Sequence, residues 1–281
     1  MKSYKLTKGI NRTFIYLFLL LAGACCIFPF LWMVSTSFKS MGDAFSVPPT
    51  LIPKKFIFEN YPKGWGYADF NRYSINTVFI ALTATIGVII TASLVAYGFS
   101  RFKSRLSGIL FTVLLGTMML PSQVTLIPQY LLYNKLNLID TYWPLLLPSW
   151  VGGGAFNIFL FVQFFKTMPK ELDEAATVDG ANSFQIFIYI MLPSVKPVIL
   201  AVGVMSLVYN WNDFFTPLIY LNSMPKYTIA IGLQFFQSVY GTMRIGMMMA
   251  VATLAVLPVL VIFFVCQKYF VEGIKMSGLK A

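Results

Sequence analysis

The chain has 281 residues, 58% of them hydrophobic and 11% charged, with a net charge of +11. A soluble domain carries about 25% charged residues, so this composition, with a mean hydropathy of +0.73, points to a membrane protein. No basic patch interleaved with aromatics supports nucleic-acid binding. There is no histidine, and Cys25, Cys26 and Cys266 lie in apolar runs without a CxxC pair. The usual zinc ligands and histidine bases are therefore missing, and the cysteines read as small packing residues.

Six apolar segments are long enough to span a bilayer, which takes about 20 residues. They predict an all-α polytopic membrane protein, a single transmembrane domain over 1–281. The first, Phe14–Phe38, follows a basic stretch holding Lys2, Lys5, Lys8 and Arg12. Ala22-Gly23-Ala24 imitates a signal cleavage site, but the apolar run continues through Ile27–Val34, beyond the 7–15 residues of a signal core. An uncleaved span is the reading adopted. The second span is Ile75–Phe99. The third, Leu106–Ile127, is interrupted by Pro121-Ser122-Gln123, and the fourth, Tyr142–Phe165, by Pro148 and Gly152-Gly153-Gly154. Such breaks read either as hinges and pathway walls or as ordinary kinks whose freed backbone groups find partners in the protein.

Between the fourth and fifth spans the chain reads "EAATVDGANSFQIFIYIMLP", from Glu174 to Pro193. Pro169 and the acids Glu171 and Glu174 suit a helix start. Gly180 suits a left-handed helix end. Asn182 or Ser183 can cap a second short helix, stopped by Pro193. Helices this short are marginal alone, so the pair needs a docking surface, either on another subunit or on the chain's own spans.

The fifth span, Pro197–Leu221, holds the one acid within the spans, Asp213, on a stripe with Ser206 and Asn210 at i, i+4 and i+7. A charge at that depth normally faces the protein interior or a wet cavity. The stripe therefore either lines a solute pathway or makes interhelical hydrogen bonds. The sixth span is Gly246–Cys266. With both termini in the cytoplasm, the inward segments hold 13 of the 21 Lys and Arg residues, a moderate positive-inside bias.

The spacing Glu174-Ala175-Ala176, three residues, Gly180, nine residues, Ile190, one residue, Leu192-Pro193 resembles the EAA loop of ABC-importer permeases. "FKTMPKELDEAATVDGAN", "WNDFFTPLI" and "FENYPKGW" are similar to the maltose-type carbohydrate permeases, specifically the smaller six-span partner of a permease pair. The resemblance covers nearly the whole chain. It implies that the loop, 170–193, carries a cytoplasmic coupling helix seated on an ATPase subunit, with Glu171, Glu174, Ala175, Ala176, Asp179 and Gly180 receiving the ATP-driven movement. It also implies a second permease chain in a heterodimer, two ATPase subunits and an extracytoplasmic sugar-binding protein. An oligosaccharide or related sugar is the implied solute, and a bacterial or archaeal cytoplasmic membrane the implied location. The last outer loop, Asn222–Ile245, resembles the family segment that reaches the binding protein, with Gln234, Gln237 and Tyr240 as candidates by region.

No GxxxxGK[ST] phosphate loop is present, so ATP and magnesium are expected on the partner ATPase subunits, with no cofactor and no metal on this chain, and the chain is expected to be no enzyme. The rival reading is a secondary transporter with Asp213 as its ion-coupling site and the broken spans as binding elements.

Overall fold

The structure, a computed structural model, describes residues 2–102, 104–237 and 244–278. It is helical, with no strand among the described residues. The principal helices are α1 Lys2–Ser37, α2 Phe70–Arg101, α3 Ser107–Thr117, α4 Ser122–Lys135, α5 Trp143–Val151, α6 Ala155–Thr167, α7 Glu171–Val178, α8 Ser183–Ser194, α9 Lys196–Asn212, α10 Phe215–Tyr220 and α11 Ile245–Gly278. Helices α1, α2 and α11 carry the first, second and sixth predicted spans as continuous apolar rods. The fourth is α5 and α6, which together form an apolar segment of 25 residues, Trp143–Thr167.

The third span breaks where Pro121 was expected to interrupt it, and the fifth departs from expectation. The third is split into α3, of 11 residues, and α4, of 14 residues, on either side of Pro121. Proline has no N–H for the helix ladder and pushes the residue before it out of the α region. The fifth helix ends at Asn212, after 17 residues. Pro217 explains why: its ring collides with the carbonyl four residues back, that of Asp213, and the chain restarts as α10. Four described helices are long and apolar enough to cross a bilayer, or five if α8 and α9, bent by 80°, count as one broken span. Pro193 does not stop α8, which runs on to Ser194 through a π-helical turn at Phe187–Met191.

The chain groups into two compact units, 1–70 with 233–257, and 71–232 with 258–281. In the first, the end of α1 is tied to the short helix Asn60–Trp65. Buried Asn60 donates from Nδ2 to the carbonyls of Ser37 (2.8 Å) and Lys39 (3.0 Å). Lys39, 1% exposed, lays its ammonium 4.5 Å from the Trp32 ring centroid and donates to the Thr50 carbonyl. That is how a cation is kept inside without a carboxylate. Phe236 stacks on both Tyr67 and Phe70.

In the second unit one core joins Ala92, Ala96 and Tyr97 of α2, Phe161 and Phe165 of α6, Ala176 of α7, Phe187 and Met191 of α8, and Val198 and Val202 of α9. A second cluster joins Ile80 and Ala84 of α2 with Tyr133, Leu145, Leu146 and Tyr220. The break between α5 and α6 is set by Gly153 at φ +63° and Gly154 at φ +82°. A Cβ on Gly153 would lie 2.7 Å from the amide nitrogen of Ala92, so only glycine lets this corner reach α2.

Candidate functional site

The segment 170–193 folds as two short helices. Three acids, Glu171, Asp173 and Glu174, occupy the first turn of α7, where they favour the macrodipole. Gly180, at φ +85°, closes α7 in a Schellman motif: the Ala181 N–H reaches the Ala176 carbonyl (2.9 Å) and the Gly180 N–H reaches that of Thr177 (3.0 Å). Asn182 and Gln185 then form a reciprocal capping box that starts α8. Each break and start is therefore satisfied locally, which fixes the elbow's shape.

Of the residues singled out on this elbow, Glu171, Glu174, Ala175, Asp179 and Gly180 are exposed, and Ala176 alone is buried. Leu172, placed by spacing on the same face as Ala175 and Ala176, is 43% exposed. The outward surface also carries Val178, Phe184 and Tyr189, at 87%, 62% and 74% exposure. These apolar side chains were not singled out from the sequence, although their pattern of large residues on a polar elbow was there to be read.

The elbow's attachment was not legible either. Arg101, the last residue of α2, sits with its Nε 2.7 Å from Asp173 Oδ2, the side chains 6% and 20% exposed. The Nε–H is not aligned for a hydrogen bond, so the contact is a charge pair. Both Nη atoms lie 3.3 Å from the Met168 carbonyl as donors. One guanidinium thus joins α2, the approach to α7, and α7 itself.

A cavity of about 640 Å³ lies among α2, α4, α5, α6, α9 and α10. It brings together all three stripe residues, Ser206, Asn210 and Asp213, with Gln123, Gln129, Ser149, Asn157 and Thr216, and with the rings of Phe156, Tyr209, Phe215 and Tyr220. The helical register does not carry Asp213 there. It lies just past α9 in extended conformation, and its Oδ1 accepts the amide N–H of Thr216 (3.1 Å). Asn210 donates to the Ser206 carbonyl one turn back (2.7 Å), and Thr85 of α2 donates to the Ser206 hydroxyl (3.4 Å). The stripe therefore both lines a cavity and makes an interhelical bond. A second cavity, about 730 Å³, is walled by Phe79, Tyr142, Trp143, Leu146 and Trp150 and offers little to a hydroxylated solute.

Asp140, at φ +59°, joins the loop before α5 to the turn after α10. Its Oδ1 accepts the amides of Asn222 and Ser223, both at 2.9 Å, and its Oδ2 accepts the Ser223 hydroxyl and the Lys226 ammonium, the latter at 2.8 Å. Burial alone would raise its pKa, but these donors outweigh it and hold the carboxyl well below its ordinary range. Gln234 and Gln237 are exposed beside a 3-10 turn of the other unit, and Tyr240 lies outside the described residues.

Apolar rods, a cavity lined by polar groups among broken helices and a capped elbow pinned to α2 fit a polytopic transport subunit. Residues 84–276 match the family of the binding-protein-dependent transport system inner membrane component, and the chain belongs to that family. A probable ABC transporter permease protein of Bacillus subtilis (strain 168) is 35% identical over 96% of this chain and 89% of its own length. The lactose transport system permease protein of Rhizobium radiobacter is 35% identical over 92% and 93%. The maltodextrin transport system permease protein of Bacillus subtilis is 33% identical over 96% and 97%. The fold is shared with a chain of a bacterial ABC transporter involved in import of the acidic polysaccharide alginate, at a TM-score of 0.82 over 93% and 96% of the two chains and 22% identity. The chain is thus a transporter permease rather than an enzyme.

Proposed function

We propose that this chain is the smaller permease subunit of an ATP-driven carbohydrate importer and forms the sugar pathway together with a second permease chain. The observation that carries the reading is the 640 Å³ cavity. It pairs amide and hydroxyl groups with aromatic faces, which is the chemistry that replaces water around a sugar. Ser206, Asn210 and Asp213 serve this pathway. Glu171, Glu174, Ala175, Asp179 and Gly180 seat the elbow on a cytoplasmic ATPase subunit, where ATP and magnesium are held, while Ala176, buried in the chain's own core, anchors the elbow from within. ATP closure moves the elbow and shifts the balance between inward-open and outward-open states, since ATP binds one state better than the other. A sugar-binding protein docks from the extracytoplasmic side of the membrane, with Gln234, Gln237 and Tyr240 as its candidate contacts. Both termini lie in the cytoplasm, and the two broken segments complete six crossings of the cytoplasmic membrane in a single permease domain.

The test is co-purification followed by reconstitution. The chain should come out of membranes with a second permease and two ATPase subunits. Vesicles loaded with ATP should take up sugar delivered by the binding protein. Uptake driven by an ion gradient with no ATPase present would refute the reading and favour Asp213 as an ion-coupling site.

A further inference from the structure

The 640 Å³ cavity is unbalanced in charge. Among its described lining residues there is no lysine and no arginine, and Asp213 is the one charged side chain. Around it stand four side-chain amides, Gln123, Gln129, Asn157 and Asn210. Asp213 is half-buried, and among the described residues its one hydrogen bond is to Oδ1, from the Thr216 amide. Two cations of this unit are committed elsewhere, Arg101 to Asp173 and Lys226 to Asp140.

A carboxylate-bearing sugar is ionised at neutral pH. Leaving water for a partly enclosed site, it needs a cation or several aligned donors to compensate. Here it meets a carboxylate instead, and like charges repel more strongly where the dielectric is low. A neutral glycan meets neither obstacle, because amides and hydroxyls donate to and accept from its hydroxyls alike. An amine-bearing glycan is favoured by the same carboxylate.

From this imbalance we infer that the cavity is a charge filter, passing neutral or amine-bearing glycans and rejecting uronate-bearing ones, with Asp213 as the residue that sets the sign. The inference rests on the sugar-pathway reading above and adds a substrate class to it.

The test is made on the assembled importer, with Cys25, Cys26 and Cys266 replaced by alanine and one cysteine introduced at a time, Ser149→Cys or Asn210→Cys. Two methanethiosulfonate reagents of similar size are compared, one bearing trimethylammonium and one bearing sulfonate. Each rate is divided by the rate with a free thiol. The cationic reagent is expected to be favoured by about tenfold, and Asp213→Asn should remove the preference while both reagents still react. Equal or anion-favouring rates in the parent would overturn the filter and leave the pathway reading standing. A preference that survives Asp213→Asn would overturn the role of Asp213. If neither reagent reacted at either position in any nucleotide state, the cavity would be sealed to solutes and the pathway reading would fall with the filter. Accumulation of trigalacturonate by the intact importer would overturn the filter whatever the cysteine rates.

Discussion

Replacing Arg101 with alanine should release the elbow from α2 without unfolding the protein. The guanidinium is 6% exposed and its partner Asp173 20% exposed. Removing one member of a buried pair costs about 3–5 kcal/mol, because the other charge is stranded. Asp173 retains some solvent, so the lower end, about 3 kcal/mol, is the appropriate figure, and it corresponds to a shift of about 100-fold in the docking equilibrium of α7. Helix α7 has 8 residues and is too short to persist undocked. Amide exchange across 171–180 should therefore accelerate by about two orders of magnitude in the assembled complex, while exchange in the middle of α2 stays slow. Sugar taken up per ATP hydrolysed should fall. The double variant with Asp173→Ala should lose less than the two single variants together, since the stranded charge is gone. Unchanged exchange in α7, or strict additivity in the double variant, would refute the reasoning.

Glu174→Ala removes an exposed charge with no partner among the described residues, so membrane abundance should be unchanged while ATPase attachment or coupling weakens. Wild-type uptake and complex yield would defeat that expectation. Gly153→Ala places a Cβ 2.7 Å from the Ala92 nitrogen at a positive φ and should lower stability by at least about 2 kcal/mol. Gly116→Ala in α3, with nothing within 4 Å, should be neutral or slightly stabilising when both variants are compared by thermal unfolding. Asp140 has its pKa lowered in the fold, so its contribution is complete above the ordinary carboxylate value of about 3.9 and is lost only as pH falls through the lower folded value. Exchange of the Asn222 and Ser223 amides should then be equally protected, after correction for intrinsic rates, from pH 8 to pH 5. Asp140→Ala, which removes the acceptor of both bonds, should expose both amides at every pH.

Much of this was legible in the residues, and the failures have physical causes. Long apolar runs without Asp, Glu, Lys or Arg gave α1, α2 and α11, because burial in lipid leaves few alternatives. The EAA spacing located the elbow, and local chemistry at Gly180 and Asn182 gave its turn. The fifth span was drawn too long because Pro217 acts on the residue four positions earlier, and the apolar run hides that break. Asp213 reached the cavity for a reason other than helical register, by capping the restart of the chain. Arg101, Asp173 and Asp140 were missed for a common reason. Their partners lie far away in sequence, and a lone charge at the end of an apolar run looks the same whether it faces solvent or a partner.

Helix α2 runs unbroken from Phe70 to Arg101. The guanidinium that grips the elbow is at one end, and Val88, part of the cavity wall, lies 13 positions earlier. At 1.5 Å rise per residue the separation is about 20 Å. A tilt of about 5° pivoting at that foot would sweep the wall sideways by about 1.7 Å, comparable to the radius of a water molecule. On the proposed coupling, a stiff rod would gear a small swing at its base into a change of bore without an intermediate relay of side chains.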